Sequence, residues 1–117
     1  HKDELLYVAL AEAKAMANAG WRPPLKRQFP VAGRSGKATI LGQLVNMRDG
    51  GFISAYDYQL GDTIAEIVTG GDVDQGSVVS EQWLLDMERK AFVSLLNNPK
   101  TQERIMGMMQ TGKPVRN

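Results

Sequence analysis

Apolar residues recur at helical spacing in five stretches of the chain. In the first, Leu6, Ala9, Leu10, Ala13, Met16 and Ala17 fall along one side of a helix. Alanine adds the highest intrinsic helix propensity, and Gly20 supplies a stop. A stripe this rich in alanine predicts close approach of a partner helix. Pro23, Pro24 and Pro30 then forbid a helix, so "WRPPLKRQFPVAG" should run extended, pinned by Trp21 and Phe29.

The second helix should begin near Ser35, with Ser35 as N-cap, and bury Ile40, Leu41, Leu44 and Val45 before Asp49–Gly50–Gly51 ends it. The third starts at Ser54, where Ser54-Ala55-Tyr56-Asp57 resembles a capping box with Asp in place of Glu. It is expected to turn Leu60, Ile64, Ile67 and Val68 inward and to stop at Gly70–Gly71. The fourth, "SEQWLLDMERKAFVSLL", places Leu84, Leu85, Ala91, Phe92, Leu95 and Leu96 on one stripe, with Trp83 also read as core. The fifth has Asn98 as N-cap and Pro99 at its first position; it carries Ile105, Met108 and Met109 and closes at Gly112–Lys113–Pro114. No stretch alternates as a strand would. The expected fold class is therefore all-α: an irregular bundle of about five helices in a single domain, 1–117. Within it, 1–20 is a helix, 21–34 an extended linker and 35–117 a four-helix region.

Composition narrows the picture. At 117 residues the chain holds one domain at most. No apolar run approaches the roughly 20 residues that cross a bilayer, and no cationic start leads into an apolar leader. The absence of cysteine excludes disulfides, thiolate metal sites and cysteine nucleophiles, and it fits a cytoplasmic location. The chain opens "HKDELLYVAL", already helical and without Met, which predicts a piece of a longer protein, with His1 left over from a tag or linker. KDEL acts as a retention signal only at a C-terminus, so here it carries no such meaning.

Charge is near balance overall but sorted along the chain. Residues 14–48 carry bases and no acid, 49–88 carry acids and no base, and bases dominate again from Arg89. Complementary faces of neighbouring helices account for such blocks. The basic block could also touch an anion, for example the phosphates of coenzyme A. Nucleic acid is not expected, because no aromatics interleave with the bases.

Three stretches invite chemistry. "VAGRSGKATI" has the residue types of a phosphate loop, but Val31 stands where its first glycine should be and Ala38 where a hydroxyl should meet magnesium. The nucleophile elbow G-x-S-x-G also fails, with Lys37 in place of its last glycine. What survives is a helix start, where Arg34 and Lys37 are the candidate contacts for an anion or a coenzyme A phosphate. "GGDVDQGS" mimics a calcium loop, yet position twelve is Trp83, so Asp72 and Asp74 are read as serving a turn and the positive end of the fourth helix. "IMGMMQ" offers Met106, Met108 and Met109 either for packing or as a partner-binding face. No catalytic, cofactor-binding or metal-binding residue is assigned.

From about residue 33 onward, "GRSG", "MRDGGFISAYDY", "GGDVDQGSVVSEQWLLDMERKAFVSLL" and "KTQERIMGMMQTGKPVRN" resemble the extreme C-terminus of bacterial fused fatty-acid β-oxidation enzymes. "LAEAKAMANAGWRPP" resembles the same family more loosely. Such enzymes join a 3-hydroxyacyl-CoA dehydrogenase to an enoyl-CoA hydratase (crotonase-like) region, here followed by a helical tail. The resemblance implies a parent that uses NAD and acyl-CoA and forms homo-oligomers, with this chain packed on the remainder of its own polypeptide. It implies no membrane or nucleic-acid partner. The Gly-rich Rossmann loop, catalytic histidine and catalytic glutamates of those halves have no counterpart here, so no catalytic residue carries over. The other reading is a standalone helical protein-interaction module using the Met-rich last helix.

Overall fold

The structure, a computed structural model, describes residues 2–117; His1, read above as a leftover, lies outside them. Along the described chain run α1 (Lys2–Asn18), β1 (Gln28–Pro30), α2 (Gly33–Asp49), α3 (Ala55–Val68), β2 (Val78–Ser80), α4 (Glu81–Leu96) and α5 (Pro99–Thr111). The chain is thus all-α in class, with one small strand pair added.

Three helices begin where a side chain satisfies the free N–H groups of the first turn. Ser54 accepts from the Asp57 N–H while Asp57 accepts from the Ser54 N–H, so the capping box forms as expected. Ser80 Oγ accepts from the Trp83 N–H at 3.1 Å, and Asn98 Oδ1 from the Lys100 N–H at 2.9 Å, with Pro99 in the first turn of α5. Gly112, left-handed at φ 68°, closes α5.

The start of α2 differs from expectation. It begins at Gly33 with Ala32 as N-cap and no side-chain cap at all. Main-chain carbonyls do the capping: Gly33 N–H donates to Thr69 O at 2.8 Å and Arg34 N–H to Val73 O at 2.9 Å. Ser35 therefore sits inside the first turn, its hydroxyl near Ala32 O and Gln75 Oε1. A distant loop occupies the position that local sequence would give to a serine.

The strands were not expected either. β1 and β2 pair antiparallel, with Phe29 opposite Val79, and the pairing extends through Val31 N–H to Ser77 O at 2.9 Å. Three residues per strand are too few to display a period of two, and the partners are remote in sequence. Pro30 is tolerated because a two-stranded ribbon consists only of edges. The linker is thus irregular only up to Arg27, and Trp21, which is exposed, does not pin it.

The small core lies where α2, α3 and the ribbon meet. Ile40, Leu41, Leu44 and Val45 face inward from α2 as the periodicity predicts. Leu44 rests on Gly61 of α3, where an added Cβ would come within 2.7 Å of a Leu44 methyl. On α3, Leu60 and Ile67 turn inward as expected, but Ile64 and Val68 do not. Tyr56 and Ala65 are 3% and 1% exposed, whereas Ile64 and Val68 are 58% and 62% exposed. Small residues at 61 and 65 admit α2 closely, so packing outranks side-chain hydrophobicity in choosing the face. The stripe on α4 is also narrower than predicted. Leu84, Met87, Ala91 and Leu95 turn inward, while Leu85, Phe92, Leu96 and Trp83 are exposed.

At the far end α5 is tied to α3. The Tyr56 and Thr101 hydroxyls bond, Arg104 pairs with Asp57 at 2.9 Å, and its guanidinium lies 4.8 Å from the Tyr56 ring centroid. The last residues return along α5, setting Val115 over Gly107 and Asn117 Oδ1 2.6 Å from Arg104 Nε.

Helix α1 stands apart. Every residue from 2 to 20 is exposed, so no helix of this chain covers its alanine-rich stripe. The radius of gyration is 20.3 Å, against about 13 Å for a compact domain of this size.

The carbonyl cap on α2 depends on Gly33, which is left-handed at φ 63° and whose missing Cβ would overlap the Val73 carbonyl. Gly33→Ala should cost more than about 2 kcal/mol in urea unfolding. Gly76→Ala, left-handed but in open space, should cost about 1 kcal/mol, which separates overlap from backbone strain.

Candidate functional site

The candidate anion contacts come together at the head of α2, beside the Gly70–Ser77 loop. Arg34 leaves the first turn of α2 and Lys37 the next, both toward the same side. Each meets acids from the following block of sequence. Arg34 pairs with Asp72 at 2.9 Å and with Asp74, and Lys37 pairs with Asp62 at 3.1 Å and with Glu66. A shallow cleft beside them is lined by Arg34, Lys37, Ala38, Leu41, Glu66 and Asp72.

The electrostatics follow from these pairs. The bond to Glu66, above all, raises the Lys37 ammonium above its ordinary value. The Arg34 guanidinium is raised as well, chiefly by the bond to Asp72. Four carboxylates surround two cations, so local charge is negative. The N–H groups that would wrap a phosphate at a helix start are already given to Thr69 and Val73 carbonyls. An anion arriving here would have to displace carboxylates and carbonyls together. Asp72 and Asp74 hold Arg34 and shape the turn, with Ser77 N–H donating to Asp74 O at 3.1 Å. They do not serve the start of α4, where the first-turn acid is Glu81.

Asp62, Glu66 and Gln75 belong to this cluster, yet no local motif marks them. The only signal was the sorting of charge, a basic block followed by an acidic one. The Asp57–Arg104 pair joins the acidic block to the later basic one by the same logic. Asp57 is held below its ordinary value, first by the Ser54 N–H and then by Arg104. Among the described residues no three histidine or acidic side chains converge on a point where a metal ion could sit. The methionines of "IMGMMQ" lie on the surface of α5, with Met106, Met108 and Met109 all exposed.

The chain is similar, at 39% identity over all of its 117 residues, to part of a probable 3-hydroxyacyl-CoA dehydrogenase from Bacillus subtilis (strain 168). It spans 15% of that protein's length. No family model matches the chain, and no solved structure matches it either.

Both ends of the pH scale should act on these pairs. The contribution of Asp57 is present above the ordinary carboxylate range and lost as pH falls through its lowered value. Asp57→Asn should therefore flatten the acid limb of stability against pH. Lys37, being raised, contributes fully at neutral pH and loses its share as pH rises through its raised value, so Lys37→Gln should flatten the alkaline limb. Thermal melts from acid to alkaline pH check both.

Trp83, whose indole N–H donates to Gly70 O at 2.9 Å, is a reporter beside the cluster. In Trp21→Phe, coenzyme A should leave Trp83 fluorescence unchanged, because the cations are already paired. A saturable, salt-sensitive change lost in Arg34→Gln would establish the anion contact.

Proposed function

We propose that this chain is the C-terminal helical region of a 3-hydroxyacyl-CoA dehydrogenase of fatty-acid β-oxidation that also carries an enoyl-CoA hydratase (crotonase-like) region. Its role is structural: it packs on the remainder of its polypeptide and supports assembly, with no active site of its own. The observation that carries this reading is similarity along the entire chain to a small part of a much longer probable dehydrogenase. Exposed apolar faces on α1 and α5 suit a segment that packs against other protein.

The parent would bind NAD for hydride transfer and act on acyl-CoA substrates in the cytoplasm. The residues of this chain do not fit NAD. A dinucleotide loop follows a strand and leaves its helix-head N–H groups free for the pyrophosphate, whereas those of α2 are capped by protein carbonyls. No step of the chemistry is assigned to this chain. Its work is to bury apolar surface and hold neighbouring elements in place.

The exposed methionines of α5 favour a second reading, a separate interaction module that docks a partner through that helix. A gene in which the chain continues a dehydrogenase reading frame would exclude it.

Purified 1–117 supplied with NAD and acyl-CoA substrates should show neither dehydrogenase nor hydratase turnover; clear turnover sinks the structural reading. Deleting the segment from the longer protein should reduce soluble yield and shrink the assembled mass seen by light scattering. Wild-type mass and yield in the deletion would also overturn it.

A further inference from the structure

The inner side of α5 is polar. Thr101, Arg104 and Gly107, each three residues from the next, are partly buried; every other position of the helix is exposed, Ile105 and the three methionines included. Thr101 bonds the Tyr56 hydroxyl and Arg104 pairs with Asp57, both in the first turn of α3. Gly107 is covered by the returning chain, since a Cβ there would overlap a Val115 methyl.

That return is bonded as well as packed. Asn117 Oδ1 accepts from Arg104 Nε at 2.6 Å, and Asn117 Nδ2 donates to Lys100 O at 3.0 Å and to Glu103 Oε2 at 2.8 Å. The Asn117 carbonyl accepts from Arg104 Nη2 at 3.2 Å, and the same nitrogen reaches Asp57 at 2.9 Å. The guanidinium is thus held on one edge by Asn117, with the Tyr56 ring at its face. A long flexible side chain is thereby fixed in the orientation that a carboxylate partner needs. When α5 departs, Asp57 keeps the Ser54 N–H, so the start of α3 survives. Little apolar burial is lost either, because no large apolar side chain of α5 faces inward, and segments held in this way open at low free energy.

We propose that residues 113–117 form a strap that locks α5 onto α3 through Arg104, and that helix and strap swing away together about the Asn97–Asn98 turn while the junction of α2 and α3 stays closed. Asn117 is the positioning residue, acting on Asp57 through Arg104. Opening bares the Tyr56 ring, which is 3% exposed when the strap is down. This inference is independent of the parental activity proposed above, since it concerns only contacts within 1–117.

Amide hydrogen exchange of 1–117, read peptide by peptide, tests this. Asn117→Ala should speed exchange in α5 at least about tenfold, because bonds to a charged group are lost. Exchange in α2 and α3 should stay at the wild-type rate, which also shows that the variant folds. Gly107→Ala is the stricter variant. It raises intrinsic helix propensity, yet its methyl takes the place of Val115, so α5 should exchange faster. Adding Val115→Ala makes room again and should slow α5 back toward wild type. Asp57→Asn keeps an acceptor for the Ser54 N–H but removes the charge that Arg104 meets. In that background Asn117→Ala should have a markedly smaller effect on α5, since the two act through one guanidinium. Wild-type α5 exchange in Asn117→Ala, slower exchange in Gly107→Ala, or independent effects at 57 and 117 would each overturn the proposal. Equal acceleration in α5 and at the α2–α3 junction would also overturn it, by making α5 part of the main cooperative unit.

Discussion

The fold turns on a main-chain junction. Thr69 O and Val73 O accept the first N–H groups of α2, and around this seam α3, α4 and the ribbon take their positions. Thr69 is buried, with its hydroxyl donating to Ala65 O at 2.7 Å, which completes the C-terminal end of α3. Val31, just past β1, sits on Gly70, where an added Cβ would lie 2.5 Å from a Val31 methyl. Trp83 reaches the same glycine's carbonyl from α4. One turn therefore carries α2, α3, α4 and the ribbon, and among the described residues no large side chain is fully enclosed. With so little apolar surface buried, backbone hydrogen bonds sheltered at this point carry more of the specificity than they would in a larger domain.

The ion pairs repeat that geometry at the surface. Arg34 and Lys37 lie on the α2 side of the seam, and the acids that meet them lie on α3 and in the loop after it. Such surface pairs each contribute little energy, and because α2 carries mainly bases and α3 only acids they favour the two helices lying side by side without fixing their register. The sorted charge blocks thus favour the pairing of helices whose apolar contact is modest. Arg104 does the same for α5, combining a carboxylate, an aromatic face and the Asn117 side chain.

Much of this was legible in the sequence. Caps written in adjacent residues, at Ser54, Asn98 and Gly112, appear where local rules place them, and so does the inner face of α2. What escaped was set by distant partners. Ser35 looked like a cap because a serine before an amphipathic run usually is one, but the Thr69 and Val73 carbonyls took its place. Ile64 and Val68 of α3 were misjudged as inward because Ala65 and Gly61, weak hydrophobes, are the residues that let α2 approach. Leu85 and Phe92 were counted as core because a list of apolar positions does not reveal that they occupy a second face. Arg34 and Lys37 were legible as a pair of cations at a helix start, while the carboxylates that occupy them come from about 25 to 40 residues further along the chain, from Lys37–Asp62 at the near end to Arg34–Asp74 at the far end.

The extended stretch from Trp21 to Arg27 also has a metric consequence. With two adjacent prolines and no buried anchor it behaves as a semi-rigid spacer, at roughly 3 Å per residue. A spacer of that kind fixes separation more firmly than direction. Whatever α1 rests on, its surface must lie at a set reach from the ribbon, and lengthening or shortening this run would change the distance between two folded bodies while leaving each of them intact.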